Sequence, residues 1–332
     1  MIAKYIEFLS SDAFLAPLGI PTGTCLDFEV LGQGEYNLNY AFTHPVTGKK
    51  LVLRINTGSQ MHLDDQIGYE YAALQALAPS GRTPLPCHCW PDQKMLVMEW
   101  LPGRALEYER DMDTAARILA DIHCTPVPEG CPLLRPAYPA LAIYEECLQM
   151  VRHYFDWKDR DPVVCGLLQQ LIDEIGKLPL KESADAPACM VNTELNSGNF
   201  LIDPTGHSHL VDWEKPLISE PAQDLGHFLA PTTTFWKTDA ILTPEQVKAF
   251  TTRYVEAVDG RMDCSTLSAR LPLFFTVTCL RGVTWCAMAY REYCQPDREL
   301  RNEDTFKKLK AYLSPAFLQN LLDNYVRKDF LA

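Results

Sequence analysis

The sequence predicts an α+β fold in two parts, and three observations carry that expectation. Alternating apolar residues mark strands through the first hundred positions, and 3.6-residue periodicity dominates after Gly103. Between the later helices, two short apolar runs flank a strong turn near residue 205. The 332 residues suffice for two lobes with a core each, and we place the division at 1–101 and 102–332.

The strands come first. Phe28 and Val30 alternate before the turn at Gly32-Gln33-Gly34, and Leu38, Tyr40 and Phe42 alternate after it, which predicts a hairpin. The turn Pro45-Val46-Thr47-Gly48 leads to a third strand over 50–56. Leu51, Leu53 and Ile55 share one of its faces, and Val52 and Arg54 share the other. A helix over 64–78 follows, with Ile67, Tyr71 and Leu74 as its apolar stripe and Glu70 on or beside that stripe. A strand over 94–100 then runs into Leu101-Pro102-Gly103. Helices are predicted over 114–123, 144–155, 163–178, 244–257, 270–293 and 304–313, and Ser314-Pro315 opens a last one as N-cap and first helical residue.

Composition narrows the function. An apolar content of 47% and a charged content of 22% are those of an ordinary globular chain. The strongest apolar run, from Leu271 to Leu280 between Arg270 and Arg281, is far shorter than the ~20 residues of a membrane span, so it reads as a buried helix. The N-terminal residues break their apolar pattern at Glu7 and Asp12, unlike a secretory signal, so a cytoplasmic protein is expected. The twelve cysteines are scattered without a framework and read as reduced thiols. Cys87-His88-Cys89 lacks a second ligand pair and reads as structural. A net charge of −13 argues against nucleic acid as a partner. A small molecule is the expected partner, with no membrane, and the sequence leaves the oligomeric state open.

Residues 188–214 read ACMVNTELNSGNFLIDPTGHSHLVDWE. Phe200-Leu201-Ile202 and His209-Leu210-Val211 flank the turn Asp203-Pro204-Thr205-Gly206. A hairpin symmetric about the Thr205/Gly206 bond sets Asn199 opposite Asp212, with Cβ atoms about 4.5–5.5 Å apart. An amide oxygen and a carboxylate so placed can share a hard cation such as Mg2+. Glu194, in the loop before them, offers a second carboxylate. A base, a metal amide and a metal carboxylate are the parts phosphoryl transfer needs. A plain surface hairpin with solvated polar ends is the competing reading.

The segment resembles the catalytic-loop motif of the aminoglycoside phosphotransferase and choline kinase superfamily, H-G-D-x-x-x-x-N followed by a hydrophobic-Asp-Trp-Glu strand. Here the frame holds Asn192-Thr193-Glu194-Leu195-Asn196-Ser197-Gly198-Asn199, then Val211-Asp212-Trp213-Glu214. Glu220-Pro221-Ala222-Gln223-Asp224-Leu225 resembles the family's following G-D-P-x-x-D-L. The resemblance spans about residues 25–230. It implies a two-lobed protein-kinase-like fold, with a small antiparallel-sheet N-lobe carrying one main helix and a larger, mostly helical C-lobe.

The resemblance also implies roles. Glu194, Asn199 and Asp212 are catalytic, with Asn199 and Asp212 holding Mg2+, and Asp224 braces the catalytic loop. Gly32, Gln33 and Gly34 cover the phosphates of ATP or GTP, Arg54 contacts phosphate with Glu70 as its partner, and Glu99 and Leu101 lie in the hinge that meets the base. His123 is expected to be structural. Trp213, Glu214, Trp236, Trp285 and Tyr290 are candidates for an acceptor site suited to an amine. The implied activity is transfer of the γ-phosphate to a hydroxyl of a choline-, ethanolamine-, thiamine- or aminoglycoside-like molecule. The sequence departs from the pattern at Glu194, where the family has Asp, and at Asn192, where it has His. A nucleotide-binding regulatory module with lost or altered transfer is the alternative.

Overall fold

A computed structural model describes residues 2–33, 36–59, 61–182, 185–295, 302–328 and 330. The chain opens with α1 (Ile6–Leu9) and α2 (Asp12–Leu15), followed by β1 (Glu29–Gln33), β2 (Asn37–Thr43) and β3 (Lys50–Asn56). Next come α3 (Gln66–Leu77), β4 (Pro86–Trp90), β5 (Met95–Glu99) and β6 (Arg104–Ala105). Three helices follow, α4 (Met112–His123), α5 (Pro139–Phe155) and α6 (Pro162–Ile175), then the short strands β7 (Cys189–Val191), β8 (Phe200–Ile202), β9 (His209–Leu210) and β10 (Leu217–Ser219). The remainder is α7 (Pro221–Leu229), α8 (Pro231–Lys237), α9 (Pro244–Val258), α10 (Leu267–Tyr293), α11 (Glu303–Tyr312) and α12 (Pro315–Leu321). The class is α+β, as expected.

The chain divides into two compact units. The first comprises Met1–Arg104, Val127–Leu133 and Leu201–Pro216, and the second comprises Ala105–Pro126, Leu134–Phe200 and Leu217–Ala332. The β8–β9 hairpin, expected with the later residues, packs with the first hundred instead.

In the first unit, five antiparallel strands form a sheet in the order β1-β2-β3-β5-β4. Leu51, Leu53 and Ile55 pack with Leu38, Tyr40 and Phe42 of β2 and with Leu9, Phe14 and Leu15 of the N-terminal helices. Those one-turn helices are too short to show a period, so the sequence pattern did not reveal them. Phe14 stacks on Trp90 at 4.7 Å, and the Trp90 indole donates to Ala13 O at 2.9 Å, tying the N-terminus to edge strand β4. The other face of β3 is also covered, for Val52, Arg54 and Asn56 are all buried. Helix α3 contributes Glu70 there, and Asp65 caps it by accepting from Gly68 N at 2.7 Å. Beyond the sheet, Gly103 takes φ +147°, and a Cβ there would stand 2.9 Å from the Leu201 carbonyl carbon. Only glycine lets the chain pass this close to the hairpin.

The second unit is built around α10, which packs against α5, α6, α7, α8 and α11. By length and composition α10 could cross a membrane, yet most of its apolar stretch is buried inside this unit. Helix α7 approaches it so closely that a Cβ on Gly226 would lie 2.7 Å from the Phe274 carbonyl carbon. Strands β7 and β10 pair antiparallel, Met190 opposite Ile218, and β7 leads directly into the loop that carries Glu194. All twelve cysteines are free thiols.

Candidate active site

The first unit gathers one cation and three acidic groups. Arg54 projects from β3 on the face opposite Leu53. Its Nη1 donates to Glu70 Oε1 at 2.6 Å and to Asp212 Oδ1 at 3.2 Å, and its Nε donates to Asn39 Oδ1 at 3.0 Å. Asn39 lies directly across from Arg54 in the β2–β3 register, so the sheet itself aims the guanidinium. Burial alone would lower the Arg54 pKa. The carboxylates of Glu70, Asp212 and Glu214 outweigh it, so the cation is held more firmly than in water. Burial pushes the Glu70 carboxyl up against the opposing pull of Arg54, and Glu70 Oε2 is buried without a hydrogen-bond partner. Asp212 follows β9 with φ +66°, a left-handed conformation that non-glycine residues rarely adopt. Just beyond, Asn37 donates to the Glu214 carboxylate, and Gln66 Nε2 donates to Glu214 O at 2.6 Å. Asn56 is the hub behind them, donating to Asn37 Oδ1 at 3.0 Å and to Gly58 O at 2.7 Å.

The second unit holds the loop of residues 192–199 rigidly. Asp224, fully buried on α7, accepts from Asn192 N at 2.8 Å and from Thr193 N at 2.9 Å. His123 stands behind it, with Nε2 3.3 Å from Asp224 Oδ2 and Nδ1 2.9 Å from the Tyr254 hydroxyl. Two charge-assisted bonds to one carboxylate fix the backbone where Thr193 takes φ +68°. Asn192 Oδ1 then accepts from Glu194 N at 3.0 Å. Asn199 Nδ2 donates to Glu194 O at 2.8 Å, which leaves the amide oxygen as the atom able to face a cation. The Asn199 amide oxygen and, in the first unit, the Asp212 carboxylate, with a side chain 32% exposed, are each hard oxygen donors of the kind a magnesium ion takes.

A family model described as the phosphotransferase enzyme family matches residues 27–263, which hold every one of these groups. The chain belongs to the phosphotransferase enzyme family. Among solved structures, this phosphotransferase is similar to a choline kinase from Cryptosporidium parvum (TM-score 0.64, 12% identity, 90% of each chain covered). It is also similar to an ethanolamine kinase from Plasmodium vivax (TM-score 0.61, 16% identity, 89% of this chain and 84% of that one). A third likeness is to the spectinomycin phosphotransferase APH(9)-Ia in complex with ADP and spectinomycin (TM-score 0.60, 16% identity, 95% and 97% covered). At such identities the likeness establishes the protein-kinase-like fold. A search of curated proteins finds no match.

Several expectations for this phosphotransferase are corrected by the structure. Asn199 ends a single 3-10 turn, Ser197–Asn199, and Asp212 lies beyond β9, so neither is a member of a strand pair. The cross-strand argument for their proximity therefore fails, because the ladder stops before it reaches them. Trp213 is fully buried and its indole donates to Leu210 O at 3.0 Å, which makes it core and removes it from the acceptor wall. The remaining aromatics do not form one wall either. Trp285 and Trp236 meet edge to face at 5.2 Å, whereas Tyr290 stacks on Phe306 at 5.5 Å. Five residues along a helix turn a side chain through ~140°, so Trp285 and Tyr290 face different ways.

Of the nucleotide-side residues, Gly32 lies at a register shift in β1 and Gln33 ends that strand opposite Leu38. Gly34 falls outside the described residues. Glu99 ends β5, its N–H donating to Leu85 O at 2.9 Å, and Leu101 follows, partly buried. Asn37, Asn39, Asn56 and Gln66 were missed, because single carboxamides on a strand or at a helix start carry no sequence signature. Arg281 was missed as well. Its Nε donates to Glu146 Oε2 at 3.0 Å, its Nη1 donates to Thr193 O at 3.3 Å, and its Nη2 lies 3.7 Å from Glu194 Oε1. The available signal was a charge in an apolar helix, which demands a partner.

Proposed function

We propose that this phosphotransferase is a small-molecule kinase that moves the γ-phosphoryl group of ATP or GTP to a hydroxyl of a small, amine-bearing acceptor. The choline, ethanolamine, thiamine and aminoglycoside classes are the candidates. The observation that supports this best is the buried Arg54, fixed by Glu70 and Asn39 and touching Asp212. Such a guanidinium is a permanent, pre-aimed cation for phosphate oxygens.

In this reading Glu194 accepts the proton of the acceptor hydroxyl as its oxygen bonds to the γ-phosphorus. The bond from that phosphorus to the β–γ bridging oxygen breaks, and the nucleoside diphosphate leaves with the electron pair. Asp212 and the Asn199 amide would hold magnesium, which supplies charge neutralisation at the phosphates when bound. Arg54 neutralises phosphate charge from the strand side. The partly exposed Trp236 and Trp285 offer ring faces for an ammonium group. The kinases for ethanolamine and choline and the spectinomycin enzyme, all of one fold with this chain, support that acceptor range.

The test is product formation from magnesium with ATP or GTP across a panel of amino alcohols and aminoglycosides, with Glu194→Gln as the control. Transfer to one acceptor class, abolished in Glu194→Gln, is the expected result. Metal-dependent nucleotide binding without transfer to any acceptor would sink the proposal.

A further inference from the structure

We infer that Arg281 is a positioning residue that sets where the Glu194 carboxylate stands, an inference that rests on the kinase reading above. Residue 281 lies beyond the stretch matched by the family model, 27–263, so the family pattern assigns it nothing.

The argument starts from reach. Glutamate carries its carboxylate one carbon–carbon bond, about 1.5 Å, further from the backbone than the aspartate of the family motif. It also has one more rotatable bond, so it samples more positions. A reacting group displaced by about 1 Å can cost on the order of 100-fold in rate. A functional glutamate in this loop therefore needs something that selects one placement.

Arg281 meets that need from three sides. Its guanidinium is anchored by Glu146 of α5 at 3.0 Å. From there it donates to Thr193 O at 3.3 Å, immediately before Glu194 in the chain. Its remaining edge faces Glu194 Oε1 at 3.7 Å. One planar fork thus holds both the backbone and the carboxylate of the loop, which a lysine ammonium could not span at once. The anchor is stiff because α5 and α10 pack tightly against each other and the Arg281 side chain is only 15% exposed. Burial alone would lower the Arg281 pKa, and the carboxylates of Glu146 and Glu194 raise it instead, so it stays a cation. Shortening residue 194 by one methylene takes its carboxylate out of reach of the fork. Arg281 and a glutamate at 194 are therefore matched to each other.

The test is a double-mutant cycle on transfer rate, with Arg281→Gln made in the Glu194 protein and in Glu194→Asp. In the first, kcat falls on the order of 100-fold while KM for ATP holds within about 2-fold. In Glu194→Asp, the same substitution costs less than about 10-fold, because the contact it removes is already gone. Arg281→Lys restores part of the loss, and Glu146→Gln, which loosens the anchor while keeping the cation, lowers kcat by less than Arg281→Gln. Equal losses in the two backgrounds would mean that Arg281 merely supports the fold and would overturn the inference. If the unmodified protein transfers to no acceptor, the kinase reading fails separately. Crystal structures of the protein and of Arg281→Gln then decide: a Glu194 carboxylate unmoved within about 0.5 Å overturns the inference, and a displaced one upholds it.

Discussion

Replacing Arg54 with methionine keeps much of the side-chain stem and deletes the cation. The Arg54 and Glu70 side chains are 8% and 2% exposed, so Glu70 would be left buried without a counter-charge. Breaking a buried pair in this way costs about 3–5 kcal/mol near neutral pH. The loss carries a pH signature. Burial already raises the Glu70 pKa above its ordinary 4.5, and removing Arg54 removes the main influence that opposes the rise. The folded variant then binds the Glu70 proton more tightly than the unfolded chain. Its stability is therefore greatest at low pH and falls as pH climbs above about 4.5, by up to ~1.4 kcal/mol per unit until the folded pKa is passed. A second variant, Arg54→Met with Glu70→Leu, strands no fully buried charge, since Asp212 is 32% exposed, and should recover most of the stability. Neither should transfer phosphate, since both lack the guanidinium. Urea unfolding followed by tryptophan fluorescence between about pH 5 and pH 8, beside the transfer assay, separates stability from activity. A loss in the single variant that ignores pH, or a double variant no more stable than the single one, would refute the reasoning.

Three further outcomes are expected. Burial lowers the His209 pKa, with Glu99 opposing, and its Nδ1 is buried without a partner; the neutral ring's stabilisation is complete above the unfolded value near 6.5 and is lost as pH falls through the folded value. His209→Gln should flatten that decline in urea midpoints relative to the parent protein, and an unchanged slope would contradict the assignment. Gly103→Ala forces a Cβ against Leu201 at φ +147° and should cost about 1–3 kcal/mol of stability, read as a lower melting temperature. Asp224→Ala removes the carboxylate that accepts from the Asn192 and Thr193 amides and should lower both stability, by about 2 kcal/mol or more, and transfer rate; full activity would show that the loop does not depend on this brace.

The pairing of Arg54 with Glu70 was expected from the family resemblance, and two periodicities agree with it. Strand parity turns Arg54 away from Leu53, and Glu70 lies beside the apolar stripe of the next helix, so each had a buried charge to satisfy. The loop of residues 192–199 was legible as a motif, but its geometry was not. Hairpin symmetry extends a ladder indefinitely, whereas the real one gives way to a 3-10 turn before Asn199 and to a left-handed residue at Asp212. The aromatics misled for another reason. Ring chemistry is the same in a core and in a binding wall, and only burial distinguishes Trp213 from Trp285. Three-residue strands such as β7 and β10 lie below the length at which alternation can be recognised. Arg281 acts on a loop nearly ninety residues earlier in the chain, a distance no local pattern encodes.

The make-up of the first unit bears on how the protein is born. That unit is not a continuous stretch: it needs Leu201–Pro216 as well as the segments ending at Arg104 and Leu133. A ribosome that has just released Arg104 still has about a hundred residues to add before the hairpin exists, roughly 5–20 seconds at ordinary elongation rates. Through that interval Arg54 and Glu70 have each other, while Asp212, the Glu214 carboxylate that Asn37 meets and the Pro216 carbonyl that Tyr69 meets are still unmade. The nascent sheet is therefore exposed on the side the hairpin will cover, and an N-terminal fragment ending at Arg104 should need a chaperone to stay soluble.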